Sequence, residues 1–288
     1  MLLDRVKDEQ LLLSQKKDTA ARIGMVNFIN TAPFYEVLKD TVHSPEWTII
    51  EGPPSHLNRL LFEGELDFGL ISSQEYALHA PAYHILDGLS ISALGAVGSV
   101  FLFSEKEIAD LSRRLVLLSP QSQTSNSLVK IILEDFLGIF PRYSLAPQEN
   151  EEIAARLAIG DEALRLAGKG RYPVQLDLGR TWHDHTGRPF VFAIWAVRKE
   201  FYGRYPKTVV NVQRELLRCV QEGKERLGVI SRSVAGRIPL DPQACEQYLR
   251  GMEYDLDAGK KDALTHFFQY LIKRGEVPKT ALPLSIIG

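Results

Sequence analysis

The first hundred residues alternate between short strand-like runs and segments with helical periodicity. Apolar side chains that recur along one helical face predict helices, whereas short β-branched runs predict buried strands. Pro33 lies in the first turn of the first predicted helix, a position that suits proline because that N–H needs no partner. In chain order, the pattern predicts a strand over 22–27, a helix over 31–38, a helix that Ser55 caps and Gly64 ends, and a strand over 66–71.

Two long β-prone stretches, 88–103 and 189–197, stand on either side of a second alternating set of strands and helices. They are suited to be the strands by which the chain leaves one lobe and later returns to it. Strand–helix alternation of this kind predicts an α/β architecture with parallel sheets. The predicted limits are 22–102 with 196–288 for the first lobe and 103–195 for the inserted second lobe, with hinge strands near 101 and 193.

The remaining pattern fills in the second lobe and both ends of the chain. Residues 1–21 are predicted to be an N-terminal extension without a chemical role, and the region after Arg198 is predicted to be purely helical. The predicted elements are a strand over 114–118, a helix over 124–137, further elements over 149–158 and 161–166, a helix over 207–231, a helix with Asp241 as N-cap and Pro242 in its first turn, and a last helix that Gly275 ends.

Composition and charge exclude several classes of protein. The chain has 34 Lys and Arg against 36 Asp and Glu, a formal net charge of -2, and so lacks the basic excess typical of a nucleic-acid binder. It contains no apolar run of about 18 residues that would span a membrane, and no apolar signal segment near its start. Two cysteines cannot make a disulfide framework. We therefore expect a cytoplasmic protein with no nucleic-acid or membrane partner.

Nucleotide and metal motifs are also missing. The patterns GxGxxG and GxxxxGK[ST] do not occur, which argues against a nucleotide cofactor, and the nucleophile pattern GxSxG does not occur either. His183 and His185 are two positions apart, so on a helix they point to different sides and are not expected to share a metal ion. We interpret them as a solvated helix end that Gly187 stops. No histidine is marked by its spacing as a general base.

Hydroxyl and amide groups follow several predicted strands, where open α/β sheets bind their ligands. A turn rich in serine and threonine that leads into an apolar helix presents free N–H groups and hydroxyls, which suit a carboxylate. Ordinary helix capping and turn chemistry would use the same residue types, so both interpretations stay open for each segment. Together the segments predict a cleft for a small anion. They are Asn30-Thr31, Ser72-Ser73, Ser99, and the run from Ser119 to Ser127.

At these residues the chain resembles the chorismate dehydratases of the futalosine route to menaquinone. The resemblance covers about residues 22–275, and its several long motifs occur in the expected order. They are RIGMVNFINTAPFY (22–35), GELDFGLISSQEYA (64–77), GLSISALGAVGSVFLFS (88–104), SPQSQTSNSLVKIILE (119–134), IGDEAL (159–164) and DLGRTWHDHTGRPFVFAIWAVR (177–198).

The resemblance implies a two-lobed type II periplasmic-binding-protein-like fold, each lobe a mostly parallel sheet flanked by helices. It implies a lyase that converts the small molecule chorismate to 3-[(1-carboxyvinyl)oxy]benzoate and water, with neither metal nor organic cofactor. The family's active-site asparagine corresponds to Asn30, in Phe-Ile-Asn-Thr where Tyr-Leu-Asn-Thr is commoner, and its active-site serine corresponds to Ser99. The predicted substrate-binding residues are Thr31, Ser72, Ser122, Thr124 and Ser125.

The missing histidine base suggests a mechanism in which the substrate's own enolpyruvyl carboxylate takes the C3 proton. Asn30, Ser99 and the helix that begins after Ser122 would hold that carboxylate in place. Two alternatives remain. A non-catalytic solute-binding protein for small anions has the same fold, although such proteins are usually exported. The related 1,4-dihydroxy-6-naphthoate synthase also has this fold, but its typical Ser-Pro-Cys-Pro-Asn-Asp-Thr signature is missing here.

Overall fold

The computed structural model describes residues 21–42, 44, 46–146, 151–238 and 240–288. Nearly all of the predicted N-terminal extension, and the first two residues of the element predicted over 149–158, lie outside the described residues. The strands are β1 Ala21–Met25, β2 Trp47–Glu51, β3 Phe68–Ser72, β4 Tyr83–Ala93, β5 Val100–Ser104, β6 Leu115–Leu117, β7 Arg142–Ser144, β8 Ile153–Ile159, β9 Val174–Asp177, β10 Phe190–Arg198 and β11 Ile286–Ile287.

The helices lie between and after these strands. The α-helices are α1 Ala32–Thr41, α2 Pro54–Glu63, α3 Ser73–His79, α4 Gln123–Lys130, α5 Gly160–Gly168, α6 Leu178–Thr186, α7 Lys199–Arg204, α8 Pro206–Glu225, α9 Leu227–Val234, α10 Pro242–Arg250 and α11 Ala258–Lys273. Short 3-10 turns cover Ile29–Thr31, Ala80–Ala82, Ile108–Leu111, Ala235–Arg237 and Lys279–Ala281, and a π-helix covers Ile131–Phe136. In this described part of the chain, no helix is both long and apolar enough to cross a membrane.

Two separate sheets organise the molecule. The first has six strands in the order β11-β4-β10-β3-β1-β2, and the second has five in the order β7-β6-β8-β5-β9. Strand β10 runs antiparallel to both of its neighbours in the first sheet, as β5 does in the second. Both sheets are therefore mixed, whereas the sequence predicts largely parallel sheets. The difference arises at β5 and β10, the strands by which the chain enters each sheet from the other, because each runs opposite to both of its neighbours.

The crossings lie at residues 94–99, between β4 and β5, and at residues 178–189, which contain α6 and lead into β10. The stretch over 88–103 is thus two strands rather than one. Gly95 and Gly98 turn the chain there with φ of 88° and 70°, a left-handed conformation that glycine adopts without steric cost. Residues 101 and 193 lie within β5 and β10, and the lobe limits and the hinge stay predictions.

Several local predictions need correction. Ser55 does not cap α2, because Pro53 is the N-cap and Pro54 already forms the first turn. The helix predicted over 124–137 is α-helical only to Lys130 and continues as the π-helix. The helix predicted over 207–231 turns at Arg226 and becomes α8 and α9. The region after Arg198 is not purely helical, because β11 adds to the edge of β4 in parallel.

Helix ends set by local chemistry agree with the sequence. Gly64 and Gly187 end α2 and α6 in the left-handed conformation, and the Asp241 carboxylate accepts a hydrogen bond from the N–H of Ala244 at 2.8 Å at the start of α10. Cys219 and Cys245 are free and buried. Burial raises the pKa of the Cys219 thiol to about 11, so this group stays protonated near neutral pH.

Candidate functional site

Side chains from the ends of strands in both sheets converge on one open cavity, whose space of about 630 Å³ includes its solvent-filled mouth. Its apolar wall includes Val26, Leu70, Ile91, Val97, Phe192 and Met252. Its polar lining includes Asn30, Thr31, Ser72, Ser99, Ser122 and Ser125, which are all but one of the predicted site residues.

Most of the polar lining groups lie where helices begin. Ser72 is the N-cap of α3, and its Oγ accepts a hydrogen bond from the N–H of Glu75 at 3.3 Å. Ser122 is the N-cap of α4, where its Oγ accepts from the N–H of Ser125 at 3.1 Å. Asn30 lies in the turn that leads into α1, and Gly160 begins α5. Helix starts carry partial positive charge, so the cavity favours an anion.

The Asn30 side chain is partly buried and lines the cavity. Its Oδ1 has no hydrogen-bond partner among the described residues, although the atom itself is buried. Buried polar atoms without a partner are rare in folded proteins because the lost hydration costs free energy. The backbone carbonyl of Asn30 accepts a hydrogen bond from the Tyr254 hydroxyl at 2.9 Å, which fixes the main chain here. The position suits a ligand that supplies the missing partner.

Ser99 lies at the end of the crossing between β4 and β5 and is only 1% exposed. Its Oγ accepts a hydrogen bond from the Tyr248 hydroxyl at 2.8 Å, and its carbonyl accepts from the N–H of Gly160 at 2.7 Å. The preceding turn is held by Asp177, whose carboxylate accepts from the N–H groups of Val97 and Gly98 at 3.1 and 2.7 Å. Ser99 is thus fixed by its own contacts to α10 and α5, and by the anchored turn that precedes it.

At the start of α4, Ser122 Oγ also donates a hydrogen bond to Ser125 Oγ at 3.0 Å. Ser125 therefore accepts from Ser122 and keeps its own proton for a group in the cavity.

Thr124, which lies between these two serines in sequence, does not line the cavity. Its buried Oγ1 accepts a hydrogen bond from the N–H of Gln74 on α3 at 3.0 Å, a contact between elements that flank different sheets. Its sequence-derived role as a substrate ligand stays a prediction.

Thr31 lines the cavity, but its hydroxyl is occupied. Its Oγ1 donates to the carbonyl oxygens of Val26 and Phe28 at 2.7 and 2.8 Å. The hydroxyl thus stabilises the turn that presents Asn30. A bond donated by Thr31 to a substrate would compete with these contacts for its one proton, whereas its lone pairs can still accept.

Sequence reasoning missed Tyr248, Tyr254 and Asp177. Asp177 carried a detectable signal, because an aspartate directly before α6 is a typical N-cap and does accept from the N–H of Arg180 at 2.9 Å. The two tyrosines carried none, since Tyr248 contacts a residue 149 positions away and Tyr254 one 224 positions away. Only the fold brings these hydroxyls beside Ser99 and Asn30.

Charged and titratable side chains are absent from the described residues that line this cavity, which include no Asp, Glu, His, Lys, Arg or Cys. His84 lies elsewhere, where its Nδ1 is 2.8 Å from Ser285 Oγ, and desolvation by burial lowers the pKa of its imidazole. His183 and His185 lie at the end of α6, with each Nδ1 within hydrogen-bond distance of a backbone carbonyl. The cavity thus combines a mostly apolar lining with hydroxyl, amide and helix-start N–H groups, and its described lining residues include no acid or base.

The model of one protein family, described as menaquinone biosynthesis, matches residues 21–273. The chain belongs to this menaquinone-biosynthesis family. A chorismate dehydratase of Thermus thermophilus is 32% identical over 267 residues, which cover 86% of this chain and 94% of the relative. A chorismate dehydratase of Campylobacter jejuni is 31% identical over 206 residues, covering 67% of this chain and 78% of the relative. Both relatives are named as enzymes, and family membership marks this chain as an enzyme too.

The fold of this family member is shared with binding proteins. A Candida albicans protein, described as having the generic periplasmic binding protein fold, superposes with a TM-score of 0.63 at 10% identity, covering 93% of this chain and 97% of that one. At this identity the likeness shows the fold alone. The predicted periplasmic-binding-protein-like α/β fold is confirmed, with mixed sheets in place of mostly parallel ones.

Proposed function

We propose that this enzyme dehydrates chorismate to 3-[(1-carboxyvinyl)oxy]benzoate and water, as a carbon–oxygen hydro-lyase of menaquinone biosynthesis. The family and its named relatives support the substrate and the reaction. The observation that carries the mechanism is the lining of the cavity, whose described residues offer hydroxyl, amide and helix-start N–H groups but no acid or base. We also propose a cytoplasmic location, which a chain with two unpaired cysteines favours.

Chorismate carries one carboxylate on its ring and a second on its enolpyruvyl side chain, and the cavity has matching features. The start of α4, with Ser122 and Ser125, presents hydroxyls and positive helix-end charge to a carboxylate. The apolar wall, including Leu70 and Phe192, faces the ring. Burial of the ring against this wall favours binding, and the flat aromatic product retains the contact.

The substrate itself supplies the base in the proposed reaction. The enolpyruvyl carboxylate takes the proton from C3, the C3–H electron pair moves into the ring, and the C4 hydroxyl departs, so that the proton and the hydroxide together make one water. Aromatisation drives the elimination. A guanidinium or ammonium beside that carboxylate would lower its pKa and weaken it as a base. Neutral donors such as Asn30 and Ser99 orient the carboxylate and preserve more of its basicity.

Contacts across the cavity support a closed form of the enzyme. Besides the bond from Gln74 to Thr124, the N–H of Ile29 donates to the Asp161 carboxylate at 3.0 Å. A Cβ at Gly160 would lie 3.1 Å from the Phe28 ring, so the two segments approach closely. We propose that the lobes hinge near residues 101 and 193, and that these contacts form as the lobes close around the substrate.

The proposed function is tested by incubating the purified protein with chorismate and following the mixture by mass spectrometry. We expect a product whose mass is that of chorismate less one water, with the absorbance of an aromatic ring. Chorismate that binds but is recovered unchanged would instead indicate a solute-binding protein. Chorismate that neither binds nor reacts would contradict the assigned substrate.

A further inference from the structure

Tyr248 contacts Ser99 from α10, outside the set of residues that line the cavity. Its hydroxyl donates to Ser99 Oγ at 2.8 Å, and its ring lies against the turn before Ser99, where a Cβ at Gly98 would be 3.5 Å from Cδ2. We propose that Tyr248 is a positioning residue that makes Ser99 a hydrogen-bond donor to a substrate carboxylate. The proposal rests on the proposed function and adds a residue that directs one of its groups.

The direction of the Tyr248–Ser99 bond follows from the chemistry of the two hydroxyls. A phenol is a stronger donor than an aliphatic alcohol, so the tyrosine gives its proton and the serine accepts. Burial raises the pKa of Tyr248, and the hydrogen bond with Ser99 offsets part of that rise. The phenol thus stays protonated near neutral pH and can act as a donor there.

The accepting role leaves the Ser99 proton free. A serine hydroxyl has one proton and two lone pairs, and in the described structure Ser99 Oγ has no acceptor for that proton. Since Ser99 lines the cavity, this proton is available to a group that binds there. With a lone pair already occupied by Tyr248, Ser99 is poorly suited to act as a base. Its role is to hold a carboxylate oxygen by donation.

The test is a double-mutant cycle on Tyr248→Phe and Ser99→Ala, read on equilibrium affinity for the aromatic product by calorimetry and on turnover of chorismate. We expect each single variant to bind product about tenfold more weakly, which corresponds to about 1.4 kcal/mol. The double variant should bind less than about twofold more weakly than Ser99→Ala alone, because the tyrosine acts through the serine. The control is Tyr83→Phe, which removes a buried hydroxyl that donates to Glu75 at 3.2 Å outside the cavity. It should bind product normally.

Additive losses in the double variant, or unchanged affinity in a Tyr248→Phe protein that melts like the wild type, would overturn the positioning role. If Tyr248→Phe fails to fold, 3-fluorotyrosine at position 248 retains the size and strengthens the donor. The variant should keep or tighten product affinity, and weaker binding would contradict the proposal.

Measurements on the wild type distinguish the positioning role from the proposed function, because product binding without turnover contradicts only the dehydratase function. Failure to bind either compound contradicts both.

Discussion

Replacement of Ser125 by alanine separates ligand binding from helix capping at the start of α4. Ser125 is 2% exposed, and its Oγ accepts from Ser122, so its proton is available to a carboxylate in the cavity. Loss of a hydrogen bond to a charged group costs about 1.5–3 kcal/mol, or about ten- to 150-fold in dissociation constant. The cap itself stays, because Ser122 Oγ accepts from the backbone N–H of residue 125, which alanine retains.

The expected result is therefore weak binding in a stable protein. Calorimetry with the aromatic product should show the loss of affinity, while the melting temperature changes little. Ser122→Ala should instead lower the melting temperature, because removal of an N-cap costs about 0.5–2 kcal/mol of stability. Ser127→Ala is the matched control on the same helix, because its hydroxyl bonds Glu276 outside the cavity. Unchanged affinity in a stable Ser125→Ala protein would refute the proposed contact.

Three further predictions concern the base, the amide and the packing of the helices. Asn30→Ala should lose most of its turnover without unfolding, because the partly buried amide orients substrate; near-normal activity in a folded variant would contradict this role. Turnover of bound substrate should show no histidine limb between about pH 6 and 8, and His84→Ala should leave the pH profile unchanged, because this imidazole lies outside the cavity beside Ser285. Gly223→Ala should lower thermal stability by about 1–3 kcal/mol or more, since its Cβ would lie 1.9 Å from the Pro33 carbonyl oxygen, whereas Gly203→Ala, with nothing within 4 Å, should not.

The parts of the fold that follow from the sequence are those fixed by neighbouring residues. Gly187 and Asp241 end and begin helices through contacts within one turn, so their roles can be predicted from the pattern. The start of α4 was likewise predictable, because the serine-rich turn caps its own helix. Such chemistry needs no knowledge of the remaining chain.

The features that escaped prediction depend on residues far apart in sequence. The antiparallel placement of β10 depends on which strands it meets, and no local pattern encodes that choice. Thr124 has the same sequence context as its serine neighbours, yet its hydroxyl faces Gln74 rather than the cavity. The hydroxyl of Tyr248 reaches Ser99 only because α10 packs beside the crossing turn. Long-range packing therefore decided both the sheet order and the supporting residues of the site.

The central claim is that the substrate's own carboxylate removes the C3 proton. The most direct measurement uses one enzyme preparation to compare the dehydration of chorismate with that of an analogue whose side-chain carboxylate is replaced by an uncharged amide. The account predicts that the analogue competes for binding but loses no water, because an amide is too weak a base at neutral pH. Efficient dehydration of the amide, at a rate near that of chorismate, would show that a group of the protein is the base and would contradict the mechanism.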